Sequence, residues 1–140
     1  MSVADLKART QQIFDTFNTH DAEATAAFFA EGAELYDSSV VRPTIGPQKI
    51  AALYLRHYTA IPDVHVHVDR MVAESNTVAV EWTSSGTHRG KLMGIPPTGK
   101  WVSYKGISII RYRNGMAVAD TRMWDLAGLL RQIGLLATQE

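Results

Sequence analysis

The pair Asn114-Gly115, set between the β-runs Ile107–Arg113 and Met116–Trp124, constrains this chain more than any other feature. Asn and Gly tolerate the positive φ that a two-residue hairpin demands, so the two runs are expected to pair as antiparallel strands. The second run stops at Asp125, a helix-capping residue type, and the apolar spacing then changes from two to helical. Leu126, Leu129, Leu130 and Ile133 share one face, and Gly134 stands where a glycine ends a helix. A hairpin with a helix folded back from it is a fold nucleus. Its second strand carries Asp120 in mid-strand among apolar neighbours, and that residue is where chemistry is to be sought.

Upstream, Val3, Leu6, Thr10, Ile13, Phe14 and Phe17 recur every three or four residues and predict an amphipathic first helix. Asp21 can cap a short second helix through Ala22–Ala30 that ends at Gly32, and a short strand follows at Ala33–Asp37. A loop, Ser38–Gly46, leads to Pro47, which suits the first turn of a third helix carrying Ile50, Leu53, Tyr54 and His57 on one side. Ile61-Pro62-Asp63 ends it. Val64, Val66 and Val68 then alternate with His65, His67 and Asp69, the pattern of a strand with one buried face. Val78, Val80 and Trp82 share one side of a long strand over Thr77–Gly86. The Gly- and Pro-rich stretch His88–Lys100 cannot be a regular element, and Trp101–Tyr104 resumes a strand.

Helices first, then long antiparallel strands, then a final helix make an α+β domain in which helices cover one face of a curved antiparallel sheet. Such a sheet closes like a cone over a pocket. The 140 residues are expected to form one such domain, 1–140. Fourteen basic and fourteen acidic residues cancel, so no broad field draws nucleic acid or an anionic membrane. There is no cysteine, which excludes disulfides, thiolate zinc sites and cysteine nucleophiles. The first residues, MSVADLKARTQQIF, show neither a basic nor an apolar leader region, and no apolar run is long enough to cross a bilayer. The expected location is the cytoplasm.

Strand parity places Val118, Asp120, Arg122 and Trp124 on one side of the last strand. If that side is the pocket, desolvation raises the carboxyl of Asp120 above about 3.9, whereas Arg122 favours its ionised form or holds a substrate oxyanion. An Asp–Arg pair on a solvated face is the plainer alternative. Tyr54 and Tyr58, one helical turn apart, can each offer a hydroxyl to a ligand, and Ser108 can bond a substrate carbonyl. Tyr36, Trp82 and Trp124 have the spacing of core aromatics, of which one or two are expected to line the pocket. Met93, with Ile95 and Pro96, is expected at the pocket mouth, between possible hinges at Gly90 and Gly94. His65-x-His67 lacks a third convergent ligand, so no metal is expected there, and Asp69 is a natural partner for one histidine. No nucleophile elbow or phosphate-binding loop is present.

Several strings resemble the SnoaL-like polyketide cyclases of the nuclear transport factor 2-like superfamily: Gly86-Thr87-His88-Arg89-Gly90, Met93-Gly94-Ile95-Pro96-Pro97-Thr98-Gly99, the Ile110–Gly115 hairpin, Trp124-Asp125, and Gly128 to Gly134. The resemblance covers nearly the whole chain. It implies a cone-shaped α+β barrel, a homodimer or higher homo-oligomer, a small hydrophobic ligand, and catalysis without metal or organic cofactor. In the characterised cyclases an aspartate on the last strand is the acid/base, and Asp120 matches it. Their Gln-x-His pair on the preceding strand falls near Gly106 and Ser108, neither of which replaces an imidazole.

These readings together point to acid/base catalysis of an aldol-type ring closure or related isomerisation on a small hydrophobic carbonyl compound, with Asp120 as base. Two alternatives stand beside it. Asp120-x-Arg122 is similar to the aspartate–arginine–aspartate set of a relative that hydrolyses epoxides, with Asp37 as second carboxylate if the fold brings it to the cavity. The other is a small-molecule-binding domain without turnover.

Overall fold

The computed structural model describes residues 1–137. Four helices and six strands follow one another as α1 (Val3–Phe17), α2 (Ala22–Ala26), β1 (Phe29–Asp37), β2 (Thr44–Ile45), α3 (Pro47–Ala60), β3 (His65–Glu74), β4 (Thr77–Thr87), β5 (Trp101–Arg113), β6 (Met116–Trp124) and α4 (Leu126–Gln132). The strands form one curved sheet in the order β2-β1-β6-β5-β4-β3. Every pairing is antiparallel except β1 with β6, which is parallel, so the sheet is mixed. Sequence alternation cannot foresee that pair, because it encodes which face is buried and not the direction of a neighbour.

The Asn114-Gly115 turn has φ of 51° and 76°, the two positive values that match the right-handed twist of β5 and β6. Asp125 accepts from Gly128 N at 2.8 Å and starts α4, and Gly134, at φ 88°, follows its end. At the other terminus Ser2 and Asp5 form a reciprocal capping box on α1. Leu6, Thr10 and Ile13 turn inward from that helix. Asn18 then copies a strand edge, with Oδ1 accepting from Val66 N at 2.8 Å and Nδ2 donating to Val66 O at 2.9 Å.

Helix α2 and strands β1 and β2 differ from the sequence expectation, β2 lying inside the expected loop Ser38–Gly46 because Thr44 and Ile45 pair with Leu35 and Glu34. Helix α2 ends at Ala26 and not Ala30, and β1 begins at Phe29. Phe29 is 2% exposed and pairs with Ala117, so cross-strand burial outweighs the helical tendency of an alanine-rich run. Gly32, at φ 75°, is therefore not a helix stop and lies where the β1–β6 register shifts. A second shift falls between Arg111 and Tyr112 and leaves Val118 outside the β5–β6 pairs. Strict parity fails there: Ala117 is fully buried, whereas Val118 is only partly buried.

The inner face of the sheet and the helices share one core, with Leu35, Ile50, Ile61, Val78, Val80, Val102 and Ile110 almost fully buried. Among the described residues no helix is long and apolar enough to cross a membrane.

Candidate active site

A cavity of about 730 Å³ opens between the concave face of the sheet and helices α1 and α3. That volume suits a small organic ligand. Its walls are mostly aromatic and aliphatic: Phe14 and Phe17 from α1, Leu53 and Tyr54 from α3, Trp82 from β4 and Trp124 from β6.

Into this wall β6 delivers Asp120 and Arg122. Asp120 stands in register between Leu35 on β1 and Ile110 on β5, both essentially without exposed surface. It is 2% exposed itself. Arg122 Nη2 donates to Asp120 Oδ2 at 3.0 Å and to the Tyr54 hydroxyl at 3.3 Å, and its guanidinium lies 5.6 Å from the Tyr54 ring centroid. Asp120 Oδ1 is enclosed with no hydrogen-bond partner among the described residues. Burial raises the Asp120 carboxyl above the ordinary aspartate value, and Arg122 opposes that rise without cancelling it.

The parallel β1–β6 pair brings in Asp37, directly opposite Arg122. Its Oδ2 lies 4.0 Å from Arg122 Nη1. Its Oδ1 accepts from Ser39 N at 2.8 Å, Ser39 Oγ at 2.6 Å and Trp124 Nε1 at 2.9 Å. Burial alone would raise Asp37, but Arg122 and the donors from Ser39 and Trp124 outweigh it, and its carboxyl is held below the usual value. Two carboxyls on one guanidinium are thus driven apart in acidity, an arrangement that divides acid from base.

Of the side chains singled out in the sequence, Asp120, Arg122, Tyr54, Trp82, Trp124 and Met93 line the cavity. Three do not. Tyr36 points outward with Thr121 and is 39% exposed, because strand alternation turns it opposite to Leu35 and Asp37. Tyr58 is buried behind the wall and donates its hydroxyl to Phe17 O at 2.7 Å. Ser108, buried one row from the cavity, accepts from Trp82 Nε1 at 3.0 Å. Beside it Gly106 leaves room for the Trp82 ring, which an added Cβ would meet at 2.3 Å. The two positions that match the Gln-x-His pair therefore seat an indole.

The loop between β4 and β5 contributes Lys91, Leu92, Met93 and Gly94 to the mouth. Leu92 and Ile95 pair around a Met93-Gly94 turn with φ of 47° and 80°. Gly90 is less a hinge than an anchor: Arg89 N and Gly90 N both donate to Ala60 O, and a Cβ at Gly90 would stand 2.0 Å from Thr59 O. His88, fully buried at the loop's start, accepts from Thr98 N at 3.3 Å through Nδ1 and ties the loop closed. His67 pairs with Asp69 at 2.9 Å on the outer face.

Sequence reasoning passed over one polar pair in the cavity, His57 on α3 and Tyr104 on β5. His57 Nε2 lies 2.6 Å from the Tyr104 hydroxyl. The helical spacing put His57 on the face of Tyr54, which was the available signal, but nothing local marks Tyr104 as its partner.

Among solved structures, the chain superimposes on AclR from Streptomyces galilaeus, provisionally assigned as a hydroxylase, with a TM-score of 0.88 and 24% identity over 99% of this chain and 91% of that one. A provisionally assigned SnoaL-like polyketide cyclase from Jannaschia sp. CCS1 gives 0.85 and 17% over 96% and 94%. IdmH from Streptomyces antibioticus, provisionally assigned as a polyketide cyclase, gives 0.79 and 22% over 92% and 98%. At these identities the likeness is one of fold. No curated protein matches the chain. Residues 8–133 match the sequence model of the SnoaL-like polyketide cyclase family, nearly the whole chain, and the protein belongs to that family.

Proposed function

We propose that the protein is an acid/base enzyme, working without metal or organic cofactor, that closes a ring or shifts a double bond in a small hydrophobic carbonyl compound. One observation carries this reading: Asp120 is a desolvated carboxyl on the wall of an apolar cavity, with one oxygen on Arg122 and the other unpartnered among the described residues. Ionised, it takes a proton from a carbon between two carbonyls, and the electron pair moves onto the carbonyl oxygen as an enolate. The enolate carbon attacks a further carbonyl elsewhere in the molecule, whose π electrons become an alkoxide. That alkoxide recovers the proton from Asp120. Arg122 favours the ionised carboxylate against the burial that disfavours it, and it offers positive charge to the developing oxyanion. Arg122 donates to the oxygen of Tyr54, which leaves the Tyr54 proton free for a ligand oxygen.

The test is hydrogen–deuterium exchange at the central carbon of an apolar 1,3-diketone, followed by NMR in deuterated buffer. Enzyme-dependent exchange that disappears in Asp120→Asn supports the reading. Equal exchange in both proteins removes Asp120 as the base.

The position of Asp37 favours one second reading, epoxide hydrolysis. With Asp37 held low and Asp120 raised, Asp37 accepts a proton from water as its oxygen attacks the epoxide carbon. The C–O bond breaks, and the epoxide oxygen takes the Asp120 proton. Incorporation of labelled oxygen from water into a diol product separates this chemistry from proton exchange. Ligand binding without either reaction supports a non-catalytic binding domain.

The assembly that fits this reading is a cytoplasmic homodimer joined through the outer face of the sheet. Ile107 and Met123 are cross-strand neighbours there, Ile109 lies next along β5, and all three are about half exposed. An apolar patch in mid-sheet is best covered by a second copy.

A further inference from the structure

The acid/base reading leaves the His57–Tyr104 pair unused. Tyr104 is buried, and Ser84 Oγ donates to its phenol oxygen at 3.3 Å. A phenol has one proton, and His57 Nε2, at 2.6 Å, is the acceptor that receives it. With Nε2 accepting, the imidazole's own proton sits on Nδ1, which makes no hydrogen bond among the described residues. The walls keep both partners neutral. Burial, helped by Arg122 and opposed by Asp37, pushes His57 down to about 4, and burial pushes Tyr104 up to about 12. His57 retains some exposed surface, and its ring lines the cavity.

Tyr54 and His57 are three residues apart on one helix, so their Cβ atoms lie about 5–6 Å from each other. Phe17 packs beside both, at 5.7 Å from the Tyr54 ring and 6.1 Å from the His57 ring. Both residues line a cavity that is otherwise largely apolar, and each carries a donor, a phenol O–H and an imidazole N–H, that has no acceptor among the described residues.

We propose that His57 Nδ1–H binds a carbonyl or enol oxygen of the substrate, with Tyr104 as the positioning residue that fixes the ring's tautomer. The inference rests on the acid/base reading above and assigns a partner to each oxygen of its enolisable 1,3-dicarbonyl substrate. One oxygen meets Tyr54 and Arg122, and the other meets His57. A neutral donor polarises a carbonyl without adding a cation that would weaken Asp120 as a base. It supplies the hydrogen bond that Gly106 and Ser108 cannot.

Two measurements test this. Long-range proton–nitrogen NMR on the labelled protein reads the tautomer: Nδ1–H is expected for His57 in the wild type, and a mixture in Tyr104→Phe. Quenching of tryptophan fluorescence, with Trp82 and Trp124 in the cavity wall, then compares two probes, 2-acetonaphthone and 2-ethylnaphthalene. The wild type is expected to prefer the ketone. That preference should fall about five- to tenfold in His57→Gln, the loss of one hydrogen bond, and largely survive in His57→Asn, whose amide nitrogen can take the place of Nδ1. Equal hydrocarbon binding in all three proteins shows that the cavity is intact. An Nε2–H tautomer, or an undiminished ketone preference in His57→Gln, overturns the inference. A preference that survives His57→Gln and vanishes in Tyr54→Phe overturns it while leaving the Asp120 reading in place. Failure of the wild type to bind either probe overturns both.

Discussion

Asp37 and Asp120 approach one guanidinium from adjacent parallel strands, at 4.0 Å and 3.0 Å, yet their acidities move in opposite directions. The difference lies in their other oxygens. Among the described residues Asp37 Oδ1 receives three donors, whereas Asp120 Oδ1 receives none. Burial weighs on both carboxyls and more heavily on Asp120, and Asp37 has donors besides Arg122 that outweigh it.

This split sets opposite pH signatures. The raised carboxyl of Asp120 stabilises the fold below the ordinary value of 3.8, and that contribution is lost as pH rises through the folded-state value. The lowered carboxyl of Asp37 stabilises the fold above 3.8 and loses that contribution as pH falls. Thermal melts should therefore show Asp120→Asn gaining on the wild type as pH rises above 3.8, and Asp37→Asn falling behind as pH rises toward 3.8 from below. Parallel curves for the two variants would contradict the assignment.

At neutral pH Asp120→Asn is expected to lower the exchange rate of a 1,3-diketone about 10²–10⁴-fold, the usual weight of a general base. Melting and circular dichroism of the same sample separate lost chemistry from lost fold.

Ser108 accepts from Trp82 Nε1 and is not among the residues that line the cavity. Ser108→Ala leaves the indole N–H buried without an acceptor and should cost about 1–3 kcal/mol in urea denaturation. The affinity for 2-ethylnaphthalene should change little, since the serine lies outside the cavity.

Gly90 holds the mouth loop against the end of α3. In Gly90→Ala the new methyl meets the Thr59 carbonyl, which is backbone and cannot swing aside, so the loop must lift. Overpacking of this kind costs about 1–3 kcal/mol, and hydrogen exchange should quicken at the Arg89 and residue 90 amides. Unchanged protection there would show that the loop is not pinned at this point.

Ile107→Lys places a charge in the middle of the exposed sheet patch. Light scattering coupled to size exclusion should report a dimer for the wild type and a monomer for the variant, with cavity binding of the naphthalene probes retained in both. A monomeric wild type at micromolar concentration would remove the dimer proposal.

The sequence by itself determined whatever short-range geometry controls. Positive φ at Asn114 and Gly115 makes the hairpin, Asp125 starts the last helix, and alternation buries Val78, Val80 and Trp82 on one face. It also marked Asp120, because an ionisable side chain in mid-strand among apolar neighbours is locally anomalous. Tertiary structure alone decided the rest. Asp37 reaches Arg122 only because β1 runs parallel to β6, a pairing between strands far apart in the sequence that no local pattern encodes. Val118 left the expected parity because a register shift intervened, and Tyr36 and Tyr58 stayed outside the cavity because one faces away and the other is spent on Phe17. His57 became a candidate only once the fold set Tyr104 against it. Local conformation follows from each residue's own sterics and hydrogen bonding, whereas a site is a set of distances between remote residues, fixed only when the whole sheet is in register.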